Sequence, residues 1–359
     1  MAFHEPWSPE KLKQCTPREI DELIPQLREQ IIDAVSRTGG HLASNLGVVE
    51  LTVAMHRVFS SPEDKFIFDV GHQCYAHKIL TGRGGRMDML RQYQGISGFP
   101  KREESPHDAY GTGHASTALS AGLGFARARD LKGEDHHVVV VVGDGALTGG
   151  MCYEALNDAG CSKTRMIVIL NDNQMSIAPN VGAVSRYLTY MRTSKGWINS
   201  KKIVAESLQV IPLIGKPLHG LLQRSKNHIR NFFIRDRFFD AFGFRYLGPV
   251  DGHDEQGLER FLRRAKRFNE PVLLHIVTTK GKGYSVAEND PSRAHGMPAF
   301  DPQNGEPRAA SSARSFGSAA GQLLAELGRK DERIVAVTAA MADSTGLGTF
   351  QRAFPARVF

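Results

Sequence analysis

The sequence predicts an α/β protein with a mainly parallel sheet flanked by helices, followed by the start of a second α/β domain. Three observations predict it. Short β-branched runs at 65–70, 137–142, 166–170 and 271–278 alternate with helix-like stretches such as 115–130 and 151–160, the order that parallel strands and crossover helices require. The run from Val138 to Val142 is apolar at every position, as a strand covered on both faces must be. The chain has 359 residues, more than one ordinary domain, and a Pro/Gly/Ser/Ala-rich linker occupies 301–314.

Taken in order, Thr16-Pro17-Arg18-Glu19 reads as a capping box with proline at the first helical position, and Leu27, Ile31 and Val35 share a face before Gly39-Gly40 stops the helix. Pro25 is expected to divide this region into two helices. Alternating strands and helices follow. At about 185–245 the pattern gives way to basic, aromatic, Gly/Pro-punctuated sequence, read as a flexible insertion within a domain spanning 1–300. Beyond the linker, a helix near 315–327 and a strand near 333–338 open the second unit, at 315–359.

The formal charge of +7 raises the question of nucleic acid. Between Arg186 and Arg245 there are 12 Lys/Arg against 3 Asp/Glu, so this segment alone carries +9 and the remainder −2. The basicity is local, and no nucleic-acid partner is expected; strong, salt-sensitive DNA binding by the segment would say otherwise. No apolar run approaches a bilayer span, so no membrane association is expected. The first residues lack a signal-peptide apolar region, which makes a cytoplasmic location the expectation. Cys15, Cys74, Cys152 and Cys161 fall at no metal-ligand or CxxC spacing and read as packing residues.

Three motifs follow strands directly, where open parallel sheets bind ligands. Gly143-Asp144-Gly145-Ala146 offers close backbone approach, a helix N-terminus beyond, and a hard carboxylate oxygen for Mg2+; alone it is equally compatible with a structural turn. Asn173 in Asn171-Asp172-Asn173-Gln174-Met175 lies 29 residues after Asp144, a separation that lets neighbouring strands set a carboxylate and an amide oxygen around one cation shared with phosphate. The bland counterpart is a pair of Asx turns. Gly71-His72-Gln73 is the third, and His41 and His114 likewise neighbour glycine at turns, where imidazole can donate to phosphate or move protons near neutral pH.

The ordered series GGHLASNLGVVELT, DVGHQCYAHKILTGR, GTGHAST, GDGALTGGMCYEALN, LNDNQMSIAPNVGA, TTKGKGY and TAAM with STGL resembles that of the 1-deoxy-D-xylulose 5-phosphate synthases, and runs from Arg37 to the last residue apart from the basic insertion. Transketolases share the GDG and Asn elements. The resemblance implies the thiamine-diphosphate-binding fold, and thiamine diphosphate with Mg2+ as cofactors. By position it implies Asp144, Asn173 and the Met175 carbonyl as metal ligands. His72, Gly113, His114, Ala115, Gly145, Ala146, Asn173 and Tyr284 would bind the cofactor, and His41 and His295 would be catalytic, orienting pyruvate and assisting proton transfer. Ala115 and Ala178 stand where the family commonly has serine.

The resemblance further implies condensation of pyruvate with D-glyceraldehyde 3-phosphate with loss of CO2, supplying isoprenoid, thiamine and pyridoxal precursors, and a homodimer for the complete enzyme. The family's pyrimidine-binding domain continues past a segment like the one ending at Phe359, carrying a glutamate that promotes the cofactor's imino form. The expectation is therefore an N-terminal portion, inactive by itself: a remnant, or a subunit completed by a separate C-terminal polypeptide.

Overall fold

The computed structural model describes residues 6–173, 175, 182–193, 237–308, 315–339 and 341–359. Most of the basic segment, with the flexibility expected of it, lies outside the described residues, as do Ala178 and residues 309–314 of the linker. The helices are α1 Pro9–Gln14, α2 Pro17–Thr38, α3 Leu42–Leu46, α4 Val49–Val58, α5 Tyr75–Lys78, α6 Ala118–Lys132, α7 Gly150–Ser162, α8 Ala183–Thr193, α9 Arg237–Ala241, α10 Glu255–Ala265, α11 Ser285–Asn289, α12 Phe316–Lys330 and α13 Gly348–Ala353. Among the described residues five strands, β1 Lys65–Phe68, β2 Val138–Gly143, β3 Ile167–Asp172, β4 Arg245–Asp251 and β5 Val272–Val277, form one parallel sheet in the order β1-β2-β3-β5-β4.

The continuous valines of β2 serve two cores, because successive strand side chains point to opposite faces. Val139 and Val141 join Phe66, Ile169 and Leu274 under α4 and α10. Val138, Val140 and Val142 join Val168, Leu170 and Leu273 under α6 and α7. At Gly122 of α6 a Cβ would lie 2.3 Å from a Val140 methyl, so glycine lets the helix sit close on the sheet. A third core, formed by α1, α2, α3 and segments around Tyr75 and Phe300, carries the loop that bears His41.

The capping box at Thr16 and Glu19 forms in full. The break expected at Pro25 does not occur: α2 runs from Pro17 to Thr38 in one piece. Pro25 and Asp21, whose carbonyl loses its helical donor, are both exposed, so water can serve that carbonyl. Leu23, Ile24, Leu27 and Ile31 bury the other face and hold the helix together.

Strand β4 is not among the expected strands, and Gly248-Pro249 lies inside it. The register shifts between Leu247 and Val250, and β4 is an edge strand, the place where a sheet accepts proline. In residues 315–359, Ser315 caps α12, which packs on α13 through Ala325 and Phe350. The strand expected near 333–338 is reduced to a parallel bridge between Ala336 and Val358; a ladder needs a partner strand, and the 357–359 segment supplies a short one.

Candidate functional site

All the motif turns open at the carboxyl edge of the sheet. After β1 the chain turns through Val70 and Gly71 at φ of 59° and 87°. A Cβ on Gly71 would lie 2.6 Å from Cδ of Pro100, so only glycine fits this left-handed turn against the neighbouring loop. Asp69, buried before the turn, accepts the N–H groups of Ser116 (2.8 Å) and Ala118 (3.0 Å). Burial raises its pKa, opposed by those donors. The Gly113-His114-Ala115 loop is thereby tied to the end of β1.

Ser116 continues the linkage by donating from Oγ to the carbonyl of Ala146 at 2.7 Å. The glycine-rich turns after β2 and before α6 are thus joined. Asp144 is buried; its amide donates to the Asn171 carbonyl at 3.1 Å, and its Oδ1 accepts from Gly145 N–H at 3.0 Å. Asn173 Oδ1 accepts from Met175 N–H at 3.1 Å, an Asx turn that fixes the side chain at the end of β3.

His41, His72 and His295 converge: ring centroids lie 5.3 Å apart for His41 and His72, 5.6 Å for His41 and His295, and 5.1 Å for His72 and His295. Phe99 closes one side, 5.6 Å from His41. Asn45, fully buried, organises the group. Its Nδ2 donates to the carbonyls of His41 (2.6 Å) and His72 (2.7 Å), and its Oδ1 accepts from Tyr75 N–H (2.8 Å). Paired backbone bonds between Gly40 and Met297 bring the His295 loop alongside.

Lys280, in TTKGKGY on the loop after β5, is a further site residue with no sequence signal of its own. Its Nζ lies 3.2 Å from His295 Nδ1, which also meets Ser44 Oγ at 3.4 Å. Burial lowers the Lys280 pKa to about 8 against the attraction of Asp144. Burial, with Lys280 nearby, lowers His295 to about 3 and, with Arg91 and Lys280, lowers His41 to about 4. His72 is held well below its ordinary value by burial, with His295 and His41 adding to it. The site therefore presents three neutral imidazoles at neutral pH. Asp69 and Lys280 left no local signal because their partners are far along the chain, and two of the three partners of Asn45, His72 and Tyr75, are as well.

Gly113, His114 and Ala115 are exposed at the rim, where the His114 amide donates to Thr112 Oγ1. Tyr284 sits apart from the histidines in its bonding: its hydroxyl donates to the Pro302 carbonyl at 2.9 Å and its ring packs near Phe300.

Two observations bear on a diphosphate cofactor with a cation. Nδ1 of His41 and of His72 are buried without a hydrogen-bond partner, a costly state that a polar ligand relieves. Among the described residues no three His, Cys, Asp or Glu side chains are grouped to hold a metal. A carboxylate, an amide oxygen and a backbone carbonyl fit a hard cation when phosphate oxygens complete the shell. The residues present fit the group.

Residues 4–278 match a family model described as 1-deoxy-D-xylulose-5-phosphate synthase. Proteins of that name from Desulforudis audaxviator and Alkaliphilus oremlandii are 52% and 50% identical, over 97% and 98% of this chain. The chain spans 55% and 56% of those relatives' lengths. Transketolase from Leishmania mexicana superposes with a TM-score of 0.55 at 21% identity, over 94% of this chain and 48% of that one. Transketolase from Campylobacter jejuni gives 0.57 at 19%, over 93% and 59%. These two likenesses establish the fold, and the sequence matches establish that the chain belongs to the 1-deoxy-D-xylulose-5-phosphate synthase family, of which it spans an N-terminal portion.

Proposed function

We propose that this chain is the diphosphate-binding part of an enzyme that condenses pyruvate with D-glyceraldehyde 3-phosphate, releasing CO2 and forming 1-deoxy-D-xylulose 5-phosphate for isoprenoid, thiamine and pyridoxal synthesis. The observation that carries this reading is the convergence of His41, His72 and His295, two of them with orphaned Nδ1 atoms, beside Lys280 at the carboxyl edge of the sheet. Thiamine diphosphate, when bound, supplies the electron sink that lets a 2-oxo acid lose CO2 and form a new carbon–carbon bond.

The chain's own residues hold and serve that group. Asp144, Asn173 and the Met175 carbonyl would bind Mg2+, and His72, Gly113, His114, Ala115, Gly145, Ala146, Asn173 and Tyr284 would hold the diphosphate cofactor. Lys280 adds a positive charge. His41 and His295, neutral at working pH, can accept or return a proton at Nδ1 or Nε2 and orient a small carboxylate.

The chain spans little more than half of its relatives' length, and we assign turnover to the complete protein of that length. Calorimetry tests the reading: the 359 residues should bind thiamine diphosphate only when a divalent cation such as Mg2+ is present, and absence of binding would overturn it. Pyruvate decarboxylation should appear when residues 1–359 are joined to or supplemented with the remaining residues of a relative; robust turnover by the 359 residues alone would refute the assignment of turnover to the longer protein.

A further inference from the structure

We infer that Tyr246, His275 and Asp172 form a positioning relay that sets the cation-binding geometry of Asn173; the inference rests on the cation-and-diphosphate reading given above. The three residues come from adjacent strands β4, β5 and β3. His275 Nε2 lies 2.9 Å from Asp172 Oδ2, and His275 Nδ1 lies 2.8 Å from the Tyr246 hydroxyl. His275 and Asp172 are fully buried, and the Tyr246 ring stacks on Phe239 with 5° between planes.

Their surroundings make the polarity informative. The register pairs His275 with Leu170 and Tyr246 with Leu273, within the layer built of Val140, Val168, Leu170 and Leu273. An apolar trio would fill this layer without the cost of burying polar groups. The relay ends on Asp172, the residue immediately before Asn173.

A second clamp grips the same turn from the opposite face. Asn171 Oδ1 accepts from the Thr278 hydroxyl at 2.6 Å, and the Asp172 carbonyl accepts from Thr278 N–H at 3.0 Å. The Asn171 carbonyl in turn accepts from the Asp144 amide. Asn171 and Asp172 point to opposite faces of β3, so the strand end is fixed from both sides. The two side-chain cation ligands are held by one hydrogen-bonded frame.

Mg2+ demands near-ideal octahedral geometry, whereas Ca2+ accepts a looser shell. Loosening the relay should therefore weaken Mg2+-supported binding more than Ca2+-supported binding. The experiment measures thiamine diphosphate affinity of the full chain by calorimetry with each cation. Tyr246→Phe keeps the stacked ring and removes the hydroxyl alone. It should lower Mg2+-supported affinity about fivefold, the equivalent of one neutral hydrogen bond, with Ca2+-supported affinity nearly unchanged. His275→Phe should lower the Mg2+ value further, and His275→Gln, which retains an amide donor for Asp172, should keep most of it. Equal losses with both cations, or no loss, in variants that melt like the wild type would overturn the relay while leaving the cofactor reading intact. A wild-type chain that binds with neither cation would overturn that reading and this inference together.

Discussion

Lys280 and His295 meet with 3.2 Å between Nζ and Nδ1, so two groups that could both be cations share one buried corner. Desolvation disfavours the charge on each, and the Lys280 ammonium disfavours it further on His295. The corner admits one positive charge, on the lysine, and Asp144 helps to keep it there.

The pH dependence of stability follows. His41 and His295 titrate in the folded chain near 4 and 3, against 6.5 when unfolded. Between these values the unfolded state binds more protons, so the histidines' contribution to stability is complete above about pH 6.5 and is lost as pH falls toward 4 for His41 and 3 for His295. The slope is at most about 1.4 kcal/mol per pH unit for each histidine. The double variant His41→Gln/His295→Gln should show a flatter profile of Tm against pH between 6.5 and 4. Parallel profiles would count against neutral burial of these rings.

Lys280 titrates near 8 when folded against 10.5 unfolded, so the same rule makes it add stability as pH rises from 8 to 10.5. Lys280→Met should remove that rise. It should also weaken thiamine diphosphate by about tenfold or more, the size of a charge-assisted hydrogen bond, and leave unphosphorylated thiamine unaffected. An equal effect on both ligands would move Lys280 away from the diphosphate.

Asp144→Ala should abolish Mg2+-dependent binding of thiamine diphosphate in calorimetry, because the octahedron loses its only carboxylate among the proposed ligands. Retained affinity would sink the metal assignment.

Asn45→Ala should cost about 3 kcal/mol or more, since it strands two carbonyls and an amide in a fully buried place. Chemical denaturation reads the loss. A change under 1 kcal/mol would mean that water fills the gap and that Asn45 does not organise the histidines.

The strand-end turns were readable because their chemistry is local: glycine where the backbone turns left-handed at Gly71, and an Asx residue that bonds two residues on at Asn173. The sheet was readable from the valines of β2. Proline misled once: Pro25 predicted a break that buried neighbours override. The edge strand β4, which tolerates Pro249, was not among the expected strands. Lys280, Asn45 and Asp69 escaped notice for another reason. Their partners His295, His72 and Ser116 are distant in the chain, and single-sequence patterns carry no signal for such meetings.

The carboxylate of Asp69, which caps Ser116 and Ala118 from the end of β1, has a consequence for how the pocket opens. Ser116 in turn grips Ala146, so three chain segments share one set of fastenings. Opening any one should release the others, and amide hydrogen exchange at Ser116, Ala118 and Asp144 should proceed with a common opening free energy. A ligand seated on the turn at Gly145 would then slow exchange at Ala118, an amide it never touches.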